Sequence, residues 1–185
     1  MIHLADESHG SPGPGTSLAG EMHHAFSETG LFSSSRDFEF RPQQQRMAEL
    51  VGAALEKQHP LVVEAATGVG KSLAYLLPSI RRALDTRRKA VITTHTINLQ
   101  EQLIHKDIPI IKKLVGDFKA VLLKGRSNYL CPTRLKRALA ETGDLFTNFE
   151  AAELSKLLDW SETTKDGTLS DLTFSPTARV WSMVC

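Results

Sequence analysis

Cysteine is nearly absent from this chain: there are two, Cys131 and Cys185, 54 positions apart. That excludes a disulfide-stapled scaffold and points to a reducing cytosol. No apolar run approaches the roughly 18 residues of a membrane span, and the first residues lack the basic-then-apolar build of a signal peptide. A cytoplasmic protein with no membrane partner is the expectation. Aromatics supply only 6% of the 185 residues, but 41% hydrophobic and 23% charged residues are ordinary for a globular domain with a real core. No internal repeat is visible.

Net charge is also low, at +1, and hides a segregation. Residues 1–40 carry six acids and one base. Residues 87–137 carry twelve bases against Glu101, Asp107 and Asp117, and residues 138–185 return to eight acids and three bases. A basic middle between two acidic flanks suits a phosphate-backbone partner. Solvated helix faces explain the same counts equally well.

Residues 1–35 are rich in Gly, Ser, Pro and His and show no sustained period, so they read as a disordered tail. His23-His24 has no third ligand at a usable spacing and reads as tail polarity. From Pro42 the pattern turns helical, with Met47, Leu50, Val51, Ala54 and Leu55 on one face. Three short apolar segments, 61–65, 89–94 and 118–123, read as strands. Helices are expected over 71–87 (with a kink at Pro78), 97–105 and 108–115. This alternation predicts an α/β fold with a parallel sheet and helices on both faces. Beyond Gly125 a basic helix over 129–140 is expected. An acidic amphipathic one over 148–159 follows, with Phe149, Leu154, Leu157 and Leu158 on its apolar side.

The chemistry concentrates at Ala65-Ala66-Thr67-Gly68-Val69-Gly70-Lys71-Ser72, between an apolar strand and an apolar helix start. Glycines allow a turn whose backbone N–H groups surround an anion, and the following helix adds the positive end of its dipole. Lys71 can reach the outer phosphates of a nucleoside triphosphate and the Ser72 hydroxyl can ligate Mg²⁺. Three further segments narrow the reading. Phe40-Arg41-Pro42-Gln43-Gln44-Gln45 precedes the loop by about twenty residues, and a glutamine amide can read an adenine edge. Equally, three glutamines at a helix start can be solvated polar residues. Thr93 to Leu103 places hydroxyls and amides at a strand end, which suits contact with a nucleic-acid backbone or plain helix capping. Lys124-Gly125-Arg126-Ser127-Asn128-Tyr129-Leu130-Cys131-Pro132 holds a cysteine that reads either as a small buried hydrophobe or as an iron–sulfur ligand.

In this order and spacing the segments resemble the iron–sulfur helicases of superfamily 2, the DinG-like and XPD-like group. The resemblance runs from about Phe26 to the last residue. It implies a partial RecA-like domain over 36–125, leading into the start of a mostly helical iron–sulfur insertion over 126–185. It also implies that ATP and Mg²⁺ are held by Arg41, Gln44 and the loop Ala65–Ser72, with Lys71 and Ser72 catalytic. Thr96, Asn98 and Gln102 would contact DNA. Cys131 would be the first of four thiolates of a [4Fe–4S] cluster, with Cys185 a weaker candidate ligand. The implied activity is ATP-dependent unwinding of forked DNA by a monomer that tracks a single strand 5′ to 3′.

The 185 residues contain no Asp-Glu-Ala-His-type motif after the loop, no second motor domain and no further cysteines. The chain therefore reads as the N-terminal piece of a longer frame or the product of a truncated gene. Its sheet is expected to have an edge and apolar faces uncovered, and its loop to hold ATP without hydrolysing it. The alternatives are a non-catalytic ATP- or DNA-binding fragment and a small P-loop kinase; the kinase is disfavoured because 89–131 offers no acceptor-site pattern.

Overall fold

Pro42 sits in the first turn of α2 (Pro42–Lys57), where its missing N–H costs nothing and its fixed φ favours the helix. The computed structural model describes residues 2–3, 17–34, 39–141, 143 and 146–185. The chain divides into two units, Met1–Leu122 and Leu123–Cys185.

In the first unit, α1 (Leu18–Ala25) packs on α2, and α2 packs on α3 (Lys71–Thr86). Helix α1 corrects the expected tail. Residues 17–34 are ordered because Leu18, Met22, Ala25 and Phe26 recur at helical spacing and are buried. Phe32, in the 3₁₀ turn Leu31–Ser34, packs its ring 4.7 Å from that of Phe26. Of the remaining tail, residues 1, 4–16 and 35 lie outside the described residues. Gly52 of α2 lies where a Cβ would come within 3.2 Å of the α1 backbone, so a larger residue would push the two helices apart by a few tenths of an ångström. Ser17 caps α1 by accepting from Gly20 N, and Glu56 of α2 accepts from Leu18 N at 2.6 Å. His23 is paired with Glu49 at 2.6 Å, which accounts for it without a metal.

Helix α3 runs through Pro78, which is buried, as are Ala74, Leu77 and Ile80. After it come α4 (Ile97–Gln102), a π-helical turn (Leu103–Asp107) and α5 (Ile108–Val115). Pro109 explains the π turn. In a regular α-helix its ring would collide with the carbonyl of His105, and adding one residue to the turn relieves this. The bond that defines the turn is Ile108 N–H to Leu103 O.

The expected parallel sheet is not formed among the described residues. Segments 61–65 and 90–94 have no backbone hydrogen-bond partner there, and the ladder at β2 (Lys119–Ala120) is antiparallel, with β1 (Ile2–His3). Exposure nevertheless alternates residue by residue over 89–95 and 117–122, the period of a pleated strand with one face covered. Val62, Val91 and Val121 are exposed, by 96%, 66% and 46%. Ala90, Ile92 and Ala120 pack against the core, but among the described residues only Lys119–Ala120 has a strand alongside, and a ladder needs a neighbour about 4.8 Å away.

The second unit packs α6 (Pro132–Ala140), α7 (Asn148–Ser161) and α8 (Ala178–Val184) around Leu135, Leu154, Leu157, Val180 and Val184. The basic helix expected over 129–140 starts at Pro132 because Tyr129 bridges Thr168 and Leu130 N donates to Gly167 O. The apolar side expected for α7 is half right. Leu154 and Leu157 are fully buried, but Phe149 is 67% and Leu158 37% exposed. Glu150 and Glu153 take the inner places instead, because residues far along the chain satisfy them. Arg179 donates to Glu150 at 3.0 Å, and Thr177 donates to Glu153 through both its N–H and its hydroxyl.

Glu150 also forms a capping box with Thr147. The Thr147 N–H, the Thr147 hydroxyl and the Arg179 guanidinium hold its carboxyl below the ordinary 4.5, although burial opposes them. A depressed carboxylate contributes stability that is present above its unfolded pKa and is lost as pH falls through the folded value. The second unit should therefore lose stability as pH drops below about 4.5, the ordinary value. Glu150→Gln should flatten that loss in acid unfolding followed by tryptophan emission, since Trp160 and Trp181 both lie in this unit. An unchanged acid profile in Glu150→Gln would remove the carboxylate from the account.

Candidate nucleotide site

The loop from Ala65 to Ser72 delivers the chain into α3, and its glycines are required by its backbone. Gly68 and Gly70 have φ of 83° and 81°, the left-handed region that side chains resist. Gly70 is the N-cap of α3 and provides no side-chain cap, so the first amides of a sixteen-residue helix remain available to an anion. A Cβ on Gly68 would meet no atom within 4 Å, so the space above that part of the loop is open.

Three side chains hold this loop from outside or within. Arg41 Nη1 donates to Gly68 O at 2.9 Å, and Glu39 steadies the guanidinium at 2.8 Å. Gln44 is 95% buried and its Nε2 donates to Gly70 O at 2.9 Å. A Cβ on Gly70 would fall 2.2 Å from that nitrogen, so a side chain there would displace the glutamine amide as well as strain the backbone at φ 81°. Gln44 thus spends one N–H on the loop. The Lys71 ammonium donates to Ala65 O and Ala66 O at 2.9 and 2.8 Å, which holds it within the loop. Uncapped helix amides, a loop-bound ammonium and a serine hydroxyl form a donor set that fits the phosphates of Mg²⁺·ATP.

Ser72 is not isolated. Tyr75 and Asp107, the latter from the π turn, lie near its hydroxyl. Asp107 is buried and accepts from Gln102 Nε2 at 3.4 Å. Burial raises its carboxyl above the usual range, against the lowering contributions of Gln102, Lys106 and Ser72. Burial likewise raises the Tyr75 phenol. Sequence reasoning missed Asp107 and Tyr75. The signal that could have pointed to Asp107 is Pro109, which forces an irregular turn just before it.

Thr96 is the N-cap of α4 and accepts from Leu99 N, which leaves its own O–H free to donate. Asn98 and Gln102 are exposed one turn apart on the same helical stretch. In the second unit, Cys131 N donates to Val184 O at 2.7 Å, so residues distant in sequence bring Cys131 beside the end of α8 and Cys185. Among the described residues no group of three or more His, Cys, Asp or Glu side chains could hold a metal. Two thiols do not complete a four-thiolate cluster. A cleft of about 360 Å³ lies at the far end of α3, rimmed by Arg82, Arg88 and Lys89, and does not involve the loop.

The family model for DEAD/DEAH box helicases matches residues 41–158. The chain is 41% identical over 153 residues to the ATP-dependent DNA helicase YoaA of Haemophilus influenzae, a match that covers 82% of this chain and 23% of the relative. It is 40% identical over 149 residues to YoaA of Escherichia coli, covering 80% and 23%. With the ATP-dependent helicase DinG of Mycobacterium tuberculosis it shares 38% over 161 residues, covering 78% and 24%. The chain thus spans about a quarter of the length of these curated relatives. The match begins at Arg41, takes in the loop and the π turn, and ends within α7; on that span the chain belongs to the DEAD/DEAH box helicase family.

Proposed function

We propose that this chain is the nucleotide-binding portion of an ATP-dependent DNA helicase of the DinG type. The observation that supports this best is the loop itself, with Gly70 in a left-handed conformation, an uncapped α3 behind it, and Arg41 and Gln44 fixing its two glycine carbonyls. Arg41, Gln44 and the backbone of Ala65–Ser72 would hold ATP. Lys71 would carry charge to the outer phosphates, and Ser72 would present its hydroxyl to Mg²⁺, which when bound neutralises the phosphate charge. Thr96, Asn98 and Gln102 offer one O–H and two amides to a single DNA strand, and forked DNA is the proposed substrate, tracked 5′ to 3′ by a monomer.

The half-covered strand segments fit a RecA-like parallel sheet closed by strands that the described residues do not supply. Cys131 and Cys185, at adjacent positions in the second unit, would give two thiolates toward a [4Fe–4S] cluster whose other ligands lie elsewhere. For the 185 residues themselves a second reading has its own support. These residues hold no Asp-Glu-Ala-His-type motif to position an attacking water, so binding without turnover is the expected behaviour.

The test is a titration of the purified chain with a fluorescent ATP analogue and Mg²⁺, alongside phosphate release with and without single-stranded DNA. Saturable binding with no phosphate release is expected. Absence of binding would overturn the nucleotide site, and sustained phosphate release would overturn the assignment of turnover to residues outside this chain.

A further inference from the structure

Helix α1 lies ahead of the family span, which begins at Arg41, yet it holds the helix that carries Gln44. It does so at Gln45, Glu49, Gly52 and Glu56, which share one face of α2. Gln45 Nε2 donates to His23 O at 2.7 Å, and Glu49 Oε1 stands 2.6 Å from His23 Nδ1. Gly52 lies against the backbone of Leu18 and Ala19, and Glu56 accepts from Leu18 N. On α3, Arg81 Nε stands 2.6 Å from Glu21 Oε1, so α1 is pinned to both helices that frame the loop.

The Gln45 contact differs from the others in where it falls. It lies in the first turn of α2, which starts at Pro42 behind an Arg41 N-cap that supplies no side-chain bond. A turn of that kind frays unless something outside the helix holds it. The same turn carries Gln44, about 100° round the helix from Gln45, and Gln44 Nε2 reaches Gly70 O at 2.9 Å. His23 O is equally short of a partner. A continued α1 would bring Ser27 N to it, but Ser27 N donates to His24 O instead. Gln45 thus closes the end of α1 while it tethers the start of α2.

We propose that Gln45 is a positioning residue for the nucleotide site: its bond to His23 O fixes the first turn of α2 on α1, and that turn sets the reach of Gln44 to the phosphate loop. The inference rests on the reading of Gln44 and the loop as an ATP site. The other contacts already hold α1 against α2, so the Gln45 side chain gives up only its own rotamer freedom to make the bond. Because the effect passes through one neighbour, it is separable from a general loss of stability.

The experiment measures affinity of the chain for a fluorescent ATP analogue in Mg²⁺ across a double-mutant cycle at Gln44 and Gln45, at a temperature where circular dichroism finds each variant folded. Gln45→Ala should weaken binding about three- to tenfold, the range of a single neutral hydrogen bond. Gln44→Ala should weaken it at least as much. The double variant should bind within about twofold of Gln44→Ala, because the tether then has nothing left to position. Gln45→Arg, which restores an N–H donor, should bind within about twofold of the unmodified chain, whereas Gln45→Glu, which cannot donate, should lose as much as Gln45→Ala. Losses that multiply in the double variant would make Gln45 a plain structural contact and overturn the proposal. So would a Gln45→Ala chain that binds as tightly as the unmodified one. Should Gln44→Ala fail to fold, the arginine and glutamate variants decide the matter, and equal affinities for the two overturn it. If Gln44→Ala folds and binds normally, the role given to Gln44 fails and this inference with it. An unmodified chain that binds no nucleotide is a distinct result, in which the phosphate-loop reading fails first.

Discussion

Lys71→Ala should weaken Mg²⁺·ATP binding by tens- to hundredfold while leaving the fold intact. The ammonium makes two charge-assisted hydrogen bonds, to Ala65 O and Ala66 O, and hydrogen bonds of this kind contribute about 1.5–3 kcal/mol each. If these are exchanged for phosphate contacts, a tenfold loss follows for every 1.4 kcal/mol or so removed. Alanine is at least as good a helix former as lysine at the first position of α3, so helix content should not fall. Titration of the variant with a fluorescent ATP analogue, beside its far-ultraviolet circular dichroism, checks both halves. Affinity within about threefold of the unmodified chain would mean that the backbone amides alone carry the phosphate, contrary to the role assigned to this side chain.

The loop was legible because everything that specifies it is local. Two glycines at positive φ, a lysine and a serine in one run dictate both the turn and the donors, whatever surrounds them. Arg41 and Gln44 were legible as members of the site, but their contacts with Gly68 O and Gly70 O depend on how α2 is placed against the loop. The sheet shows the limit more plainly. Residues 90–94 have the composition and the alternating exposure of a strand, yet a strand is completed by a neighbour, and no local pattern says which segment provides it. Helix α1 was hidden for the opposite reason. The Gly, Ser and His residues around Leu18, Met22 and Phe26 lower the apparent hydrophobicity of the segment, although its apolar spacing is helical. Asp107 lay beyond a count based on 3.6 residues per turn, because the π turn inserts one residue and re-aims every side chain after it.

A core truncation in the second unit should unfold it ahead of the first. Leu157 is fully buried among Leu135, Leu154, Val180 and Val184, and Leu157→Ala should cost about 2–5 kcal/mol. A unit confined to Leu123–Cys185 has little to set against this, since stability runs near 0.05–0.15 kcal/mol per residue and small domains bury proportionately less surface. The two tryptophans make the outcome readable in the intact chain. Trp160 and Trp181 both lie in this unit, and the Trp181 indole N–H donates to Ser127 O at 2.7 Å. Their emission should shift at a melting temperature lowered by at least about 10 °C, while nucleotide binding by the first unit persists. Phe149→Ala provides the contrast. Sequence pattern put Phe149 on the same apolar side of α7 as Leu157, but it is 67% exposed, and its truncation should move stability by no more than about 0.5 kcal/mol. Equal losses from the two substitutions would mean that α7 buries the face read from its sequence, with Phe149 inward, rather than the face on which Glu150 and Glu153 meet Arg179 and Thr177.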